Sequence, residues 1–182
     1  LLIVTHAYND RVGIRHLSSG VKVYYLAIPV LHNQCTLPNY LLLFPTLHQI
    51  IQKEEINIVH GHQAFSSMAH EALMHARTMG IECVFTDHSL FGFSDMSSIL
   101  TNKLFKFSMI DVSKIICVSN TSKENTVLRA RCAPENVYVI PNAIDASSSL
   151  PDPTKRPTDR IRIIVMSRLV YRKGTDLLVQ VI

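Results

Sequence analysis

The sequence predicts an α/β protein built on a parallel sheet, and two patterns support this. Short runs rich in Val, Ile, Phe and Tyr alternate along the chain with longer segments whose apolar residues recur at helical spacing. Such alternation is typical of parallel strands joined by helical crossovers. Polar residues follow several of the apolar runs directly. Because open parallel sheets bind ligands at the carboxyl ends of their strands, we expect the functional residues at that edge.

The strands are predicted at short apolar, β-branched runs. These are residues 1–5, 21–26, 56–60, 82–86, 114–118, 137–140 and 162–166. The helices are predicted where apolar residues repeat at helical spacing, at 38–55, 66–79, 97–108, 121–131 and from about 175 onward. Pro45 should start or kink the first helix, Gly80 should terminate the second, and Thr121 with Glu124 should cap the fourth. The helix at 38–55 either packs on the core or touches lipid with its apolar face.

Two domains are predicted, and both are incomplete. Residues 1–147 form a Rossmann-like N-terminal domain, residues 148–160 are a Ser- and Pro-rich linker, and residues 161–182 begin a second Rossmann-like domain. The first residues look like a strand entered midway, and the last look like a helix cut short. We therefore expect a piece of a longer protein.

Composition excludes several classes of protein. The chain has 182 residues, of which 47% are hydrophobic and 18% charged, so it is globular rather than disordered. Its net charge of +4 includes no dense Lys/Arg run, which argues against nucleic-acid binding. No apolar run approaches the roughly 18 residues of a membrane span. No two of the four cysteines have the spacing of a metal knuckle or a redox pair.

A basic loop near the end of the chain is a candidate anion site. Arg168 and Lys173 lie between the apolar run at 162–166 and a Gly-Thr-Asp sequence that opens a helix. A helix N-terminus presents free N–H groups and positive dipole to an anion, and the two cations add full charges. The predicted ligand is a phosphate or a diphosphate, although a solvated basic turn would have the same sequence.

Three histidines stand at predicted strand ends. His60 and His62 alternate at the end of one strand, and His88 follows the next. A His-x-His pair can bind zinc only with further ligands, and none has a supporting spacing, so no metal site is predicted. His88 is either a buried, hydrogen-bonded histidine or a group that faces a polar substrate. Its neighbours Asp87 and Ser89 do not form a triad with it, because adjacent strand residues point to opposite faces.

Several motifs occur in an order that resembles one enzyme family, the retaining family-4 glycosyltransferases of the GT-B fold. They are residues 86–89 (Thr-Asp-His-Ser), 117–119 (Cys-Val-Ser), 141–145 (Pro-Asn-Ala-Ile-Asp) and 167–174 (Ser-Arg-Leu-Val-Tyr-Arg-Lys-Gly). Residues 84–93 and 121–129 narrow the resemblance to the members of this family that build glycosylphosphatidylinositol anchors. The resemblance extends over nearly the whole chain.

The resemblance implies a specific reaction. Two Rossmann-like domains would face a cleft, and N-acetylglucosamine would pass from UDP-N-acetylglucosamine to phosphatidylinositol with retention at the anomeric carbon. This is the first step of anchor synthesis, performed by one component of a larger complex on the cytoplasmic face of the endoplasmic reticulum membrane. It implies no metal and no cofactor, since UDP-N-acetylglucosamine is a substrate.

The resemblance also implies roles for individual residues. His88 matches the family histidine that contacts the transferring sugar, and Arg168 and Lys173 match the cations on the donor diphosphate. Independently of the resemblance, the position of His60 and His62 at a strand end indicates that they line the substrate site, and Asn142 is a further candidate for this lining. The family's Gly-rich loop would precede residue 1 and its Glu-x7-Glu motif would follow residue 182, so the 182-residue chain by itself is expected to be inactive. The alternatives are a non-catalytic truncated subunit that only binds its complex, and another GT-B sugar-nucleotide enzyme such as an epimerase.

Overall fold

A computed structural model of the chain describes residues 1–30, 43–91, 96–150, 152–167 and 174–181. The chain divides into two compact units, Leu1–Asn142 and Ala143–Ile182. The larger unit contains seven strands and four helices among the residues described. No helix in these ranges combines the length and the apolar character needed to cross a lipid bilayer.

The larger unit is organised around a four-stranded, all-parallel sheet. Its strands are β4 (Ile58–His62), β5 (Glu82–Asp87), β6 (Lys114–Cys117) and β7 (Val137–Val139), in that spatial order. Each strand pairs in parallel with the next one along the chain. The α/β class and the Rossmann-like parallel sheet predicted from the sequence are therefore confirmed. All four carboxyl ends lie at one edge of this sheet.

Three helices connect the four parallel strands. These are α2 (Ser67–Thr78), α3 (Met96–Ser108) and α4 (Asn120–Ala130). The core between helices and sheet is apolar and includes Leu73, Phe85, Phe105, Ile115 and Val137. Burial of these side chains, at roughly 1.5–3 kcal/mol each, is the main force that holds the layers together.

The predicted ends of α2 are confirmed. Ser66 precedes the helix, and its Oγ accepts a hydrogen bond of 3.2 Å from the backbone N–H of Ala69. Gly80 follows the helix with φ of +75°, the left-handed conformation that favours glycine after a helix. The capping prediction for α4 was wrong, because Ser119 rather than Thr121 is the cap. Its Oγ accepts from the N–H of Ser122 at 3.1 Å.

The first strands form a separate sheet instead of joining the parallel one. Its members are β1 (Leu2–His6), β2 (Gly13–His16) and β3 (Lys22–Leu26), in the order β1-β3-β2, and β2 runs antiparallel to β3. The sequence did not predict β2, because its four residues lack an apolar alternation and are all exposed. Among the described residues, β1 and β4 are edge strands of their respective sheets.

The helix α1 (Phe44–Lys53) connects the two sheets. Glu54, just after it, accepts hydrogen bonds from Lys22 at 2.8 Å and from the Tyr24 hydroxyl at 2.7 Å. On its other side the ring of Phe44 packs against the ring of His75 on α2, with 4.7 Å between centroids. Pro45 lies in the first turn, as predicted, whereas the predicted start of this helix at residue 38 lies outside the described residues.

The smaller unit contains α5 (Thr175–Val181), which begins after Gly174, as predicted. The prediction of a strand at 162–166 was wrong for this structure. Ile163 and Ile164 are about four-fifths exposed and no described strand pairs with the run. An apolar run becomes a strand only when a neighbour supplies the ladder hydrogen bonds.

Candidate active site

Three histidines come together where β4 and β5 end. The strand register places His62 opposite Thr86, one strand residue before Asp87, and His88 follows at once. His62 Nδ1 lies 3.3 Å from His88 Nε2, and His60 Nε2 lies 2.7 Å from the hydroxyl oxygen of Thr86. The sequence-predicted residues His60, His62 and His88 therefore form one group, which we name the histidine cluster.

The rings of the histidine cluster are stacked and open to solvent. Ring centroids lie 4.3 Å apart between His60 and His62, and 5.6 Å apart between His62 and His88. All three residues are exposed, so a substrate can reach them. Because a ring nitrogen of His62 faces one of His88 at hydrogen-bond distance, one imidazole donates to the other when both are neutral.

Burial and neighbouring charge lower the pKa of two members of this cluster, His60 and His62. Partial burial lowers the pKa of His60, and a charge on His88 lowers it further. Burial likewise lowers the pKa of His62, with further lowering by His60 and His88. Neutral imidazoles can both donate to and accept from the hydroxyl groups of a sugar. Within the described ranges, no group of three or more His, Cys, Asp or Glu side chains is arranged to hold a metal ion.

A glycine between two of the histidines allows α2 to approach β4 closely. A Cβ atom at Gly61 would lie 3.0 Å from Leu73 Cδ1 and 3.3 Å from the Cβ of Ala69. Leu73 is almost completely buried, so it has little room to move. The lack of a side chain at Gly61 therefore determines how closely β4, which carries His60 and His62, packs against α2.

A buried carboxylate holds the loop after β5 by hydrogen bonding. Asp87 is completely buried, and its Oδ1 accepts a hydrogen bond of 2.9 Å from the N–H of Ser89. The hydroxyl of Ser89 donates to Oε1 of Gln63, the residue that follows β4. Asp87 thus points into the core while His88 points out. As expected, these adjacent residues do not form a hydrolase triad.

The second oxygen of that carboxylate holds α4. Asp87 Oδ2 accepts from the Thr126 hydroxyl at 2.9 Å and from Arg129 Nη1 at 3.3 Å. Arg129 Nε also donates to Asn102 Oδ1 on α3 at 2.8 Å. The strand end that carries His88 is therefore bound to both α3 and α4.

Aromatic rings and an amide side chain complete the support of the loop. The guanidinium of Arg129 lies between Phe91 and Phe105, at 4.1 Å and 4.4 Å from their ring centroids. Asn125 makes two hydrogen bonds to the backbone of Phe91, one to its N–H at 3.2 Å and one to its carbonyl at 2.9 Å. Residues 88–91 are consequently held at both ends.

The remaining predicted site residues are less fully described. Asn142 is exposed and lies just beyond β7, on the same sheet edge as the histidine cluster. Arg168 and Lys173 lie outside the described residues. Sequence reasoning missed Thr86, Gln63 and Arg129. In the sequence, the only signal was the polar pair Thr86-Asp87 at the end of an apolar run. It pointed to Thr86 directly, and to Arg129 only through the ion pair of Arg129 with Asp87.

These features define the class of protein. A Rossmann-like parallel sheet, with an exposed cluster of polar side chains at its carboxyl edge, is consistent with a GT-B glycosyltransferase. The PIGA (GPI anchor biosynthesis) family matches residues 6–95, a range that includes the whole histidine cluster.

Comparison with individual curated proteins gives more specific relatives than the family match does. The chain is 58% identical over 178 residues to a human phosphatidylinositol N-acetylglucosaminyltransferase subunit, covering 98% of this chain and 37% of the human protein. It is 52% identical over 182 residues to the Schizosaccharomyces pombe phosphatidylinositol N-acetylglucosaminyltransferase gpi3 subunit, covering all of this chain and 40% of that protein. The predicted resemblance is thus confirmed: the chain closely resembles part of these subunits.

A more distant relative is also named for a sugar transfer. The Escherichia coli UDP-Gal:alpha-D-GlcNAc-diphosphoundecaprenol alpha-1,3-galactosyltransferase is 23% identical over 142 residues, covering 75% of this chain and 35% of that enzyme. Its name describes a nucleotide-sugar donor and a lipid-linked acceptor. The chain spans about two-fifths of the length of the phosphatidylinositol N-acetylglucosaminyltransferase subunits it matches.

Proposed function

We propose that the chain is part of a glycosyltransferase that moves N-acetylglucosamine from UDP-N-acetylglucosamine to phosphatidylinositol, the first step of glycosylphosphatidylinositol anchor synthesis. The observation that carries this proposal is the exposed His88, next to backbone held by Asp87 and Asn125, within a chain that is 58% identical to a human protein named for this transfer. The proposal concerns the whole protein that the complete open reading frame encodes.

His88 is assigned the contact with the transferring sugar. Its imidazole is exposed at the carboxyl edge of the sheet, and Asp87 and Asn125 fix the loop around it. A preorganised group contributes more at the transition state than a mobile one, because no reorganisation is needed as charge develops. His60 and His62 lie next to it, and Asn142 lies further along the same edge. These three residues are assigned to the lining of the site.

Arg168 and Lys173 are assigned to the donor diphosphate. Breaking the bond between sugar and phosphate builds negative charge on the departing UDP, and fixed cations stabilise that charge. In the mechanism favoured for the family that the chain resembles, the acceptor hydroxyl attacks the anomeric carbon from the same face from which UDP departs. This preserves the anomeric configuration. This chemistry needs no cofactor and no metal ion at the leaving group.

The setting of the reaction follows from the acceptor. Phosphatidylinositol resides in membranes, so the enzyme works at a membrane surface, for which we propose the cytoplasmic face of the endoplasmic reticulum. The relatives are named as subunits. We therefore also propose that the protein acts within a complex of several different chains.

A transfer assay tests the reaction. The protein is expressed from its complete open reading frame, and membranes containing it receive labelled UDP-N-acetylglucosamine with or without added phosphatidylinositol. Label that enters the lipid phase only with phosphatidylinositol supports the proposal. A change in the donor sugar without any acceptor would instead identify an epimerase, and complex assembly without any turnover would identify a non-catalytic subunit.

A further inference from the structure

The outer face of α3 carries large apolar side chains that the fold leaves open to solvent. Leu100, Leu104 and Phe107 follow one another at helical spacing and are between 52% and 62% exposed. Ile99 and Ile110, which flank them, are exposed as well. A contiguous apolar surface of this kind marks an interaction site more often than a solvated face.

Two lysines are interleaved with these apolar residues. Lys103 and Lys106 are exposed on the same side of α3, and the described side chains of the helix include no Asp or Glu. Phe105 and Met109 point the other way, into the core. The exposed half of the helix is therefore both apolar and positively charged. We name this surface, formed by residues 99, 100, 103, 104, 106, 107 and 110, the α3 outer face.

The surface continues into a neighbouring groove. A cavity of about 480 Å³ opens beside the carboxyl end of α3, and Leu73, Met74, Phe107, Ile110 and Val112 supply apolar lining. Arg77 and Asp111 are its charged residues. Arg77 lies 3.9 Å from Glu82, a long and exposed ion pair that leaves the guanidinium accessible. The groove thus extends the apolar surface beyond the helix itself.

The combination of apolar side chains and lysines on the α3 outer face favours a lipid surface over a second copy of the chain as its binding partner. A second copy of the chain would bring Lys103 and Lys106 close to their own counterparts, and like charges across an interface are unfavourable. A lipid surface suits both kinds of side chain, because apolar residues enter the acyl boundary while lysines extend toward anionic headgroups. Each lysine near an anionic membrane adds attraction.

We propose that the α3 outer face is a docking surface for an anionic lipid membrane. The helix starts a few residues after the loop that carries His88 and Phe91. A helix lying in the membrane surface would hold the histidine cluster near the level of the lipid headgroups. The inference goes beyond the proposed sugar transfer, and binding is measured without donor, so either proposal can fail while the other stands.

Vesicle flotation tests the docking surface. The purified protein is mixed with phosphatidylcholine vesicles that contain phosphatidylserine, an anionic lipid that is not the proposed acceptor, and with vesicles of phosphatidylcholine alone. Wild-type protein should float with the anionic vesicles, and added salt should weaken this binding. The double variant Leu104→Ser/Phe107→Ser should bind roughly tenfold less, since much of the apolar contact is lost.

Two further variants give the test its specificity. Lys103→Gln/Lys106→Gln should reduce the preference for anionic vesicles by roughly fivefold for each lysine. Leu128→Ser, on α4 and 65% exposed, is the matched control and should bind as wild type does. Circular dichroism verifies that every variant is folded. Equal flotation of the Leu104→Ser/Phe107→Ser variant and wild type would overturn the proposal, as would a dimer that this variant dissociates.

Discussion

Arg129 and Asp87 form an ion pair in the interior, with 3.3 Å between Nη1 and Oδ2, although 42 residues separate them in the chain. Both side chains are almost completely buried. Thr126 donates a further hydrogen bond to the same oxygen, and Ser89 donates to the other one. Because Asp87 directly precedes His88, this pair determines where the exposed histidine stands.

Removal of the arginine should destabilise the protein strongly. Arg129→Ala leaves the Asp87 carboxylate buried without its charged partner, which costs about 3–5 kcal/mol. The free energy of unfolding, measured by urea denaturation, checks this. Arg77→Ala is the control, because Arg77 makes an exposed pair of 3.9 Å with Glu82 and should change stability by less than about 1 kcal/mol. Equal losses in the two variants would contradict the importance of the buried pair.

Loss of the amide that binds Phe91 should loosen the loop. Asn125→Ala removes two backbone contacts and should cost about 1–3 kcal/mol, with faster hydrogen exchange at the amide of Phe91. Asn120→Ala, at an exposed position in the first turn of α4, is the matched control. If the Phe91 amide exchanges equally fast in both variants, Asn125 does not hold the loop.

A side chain at Gly61 should move the strand end that carries two histidines. The Cβ of alanine would lie 3.0 Å from Leu73 Cδ1, and valine adds two methyl groups to that contact. Overpacking of this kind costs about 1–3 kcal/mol, so Gly61→Val should lose more stability than Gly61→Ala. Ring resonances of His60 and His62 in NMR spectra should shift in the same order. A valine variant as stable as wild type would show that α2 is free to retreat.

The histidine cluster should make stability depend on pH. Burial lowers the pKa of His62 below its ordinary value of 6.5, so the unfolded chain binds more protons than the folded one as pH falls through that value. Stability is therefore lost below about pH 6.5 and unaffected by this group above it. His62→Gln removes the effect. It should stabilise the protein relative to wild type more at about pH 5.5 than at about pH 7.5.

Denaturation curves at the two pH values measure this difference. His16→Gln, an exposed position on β2, is the control. Since any change in packing contributes at both pH values, the difference between them isolates the protonation. A His62→Gln effect that is the same at both would contradict the predicted role of burial.

Local sequence signals predicted the elements of this fold well. Ser66 and Gly80 were identified as the ends of α2 because capping acts within a few residues. The sequence also predicted that His60, His62 and His88 lie at one edge of the sheet, because the carboxyl ends of parallel strands are aligned. Strand β2 was missed because only its pairing with β3 stabilises it, and its own side chains are exposed.

The contacts that hold the site could not be predicted in this way. Arg129 looks like an ordinary helix residue in the sequence, and its burial depends on how α4 packs against β5. The close approach of His62 to His88 depends on the register of β4 and β5, which is set by packing over the whole sheet. Arg168 and Lys173 lie outside the described residues, so their role stays a prediction.

The rate of sugar transfer by a His88 variant tests the central claim most directly. Membranes containing the protein expressed from its complete open reading frame receive labelled UDP-N-acetylglucosamine and phosphatidylinositol, and the initial rate of lipid labelling is measured. His88→Ala should lower this rate roughly a hundredfold, because one preorganised contact at the transition state is lost. His16→Ala should retain the wild-type rate. A His88→Ala protein that transfers sugar as fast as wild type would contradict the assignment.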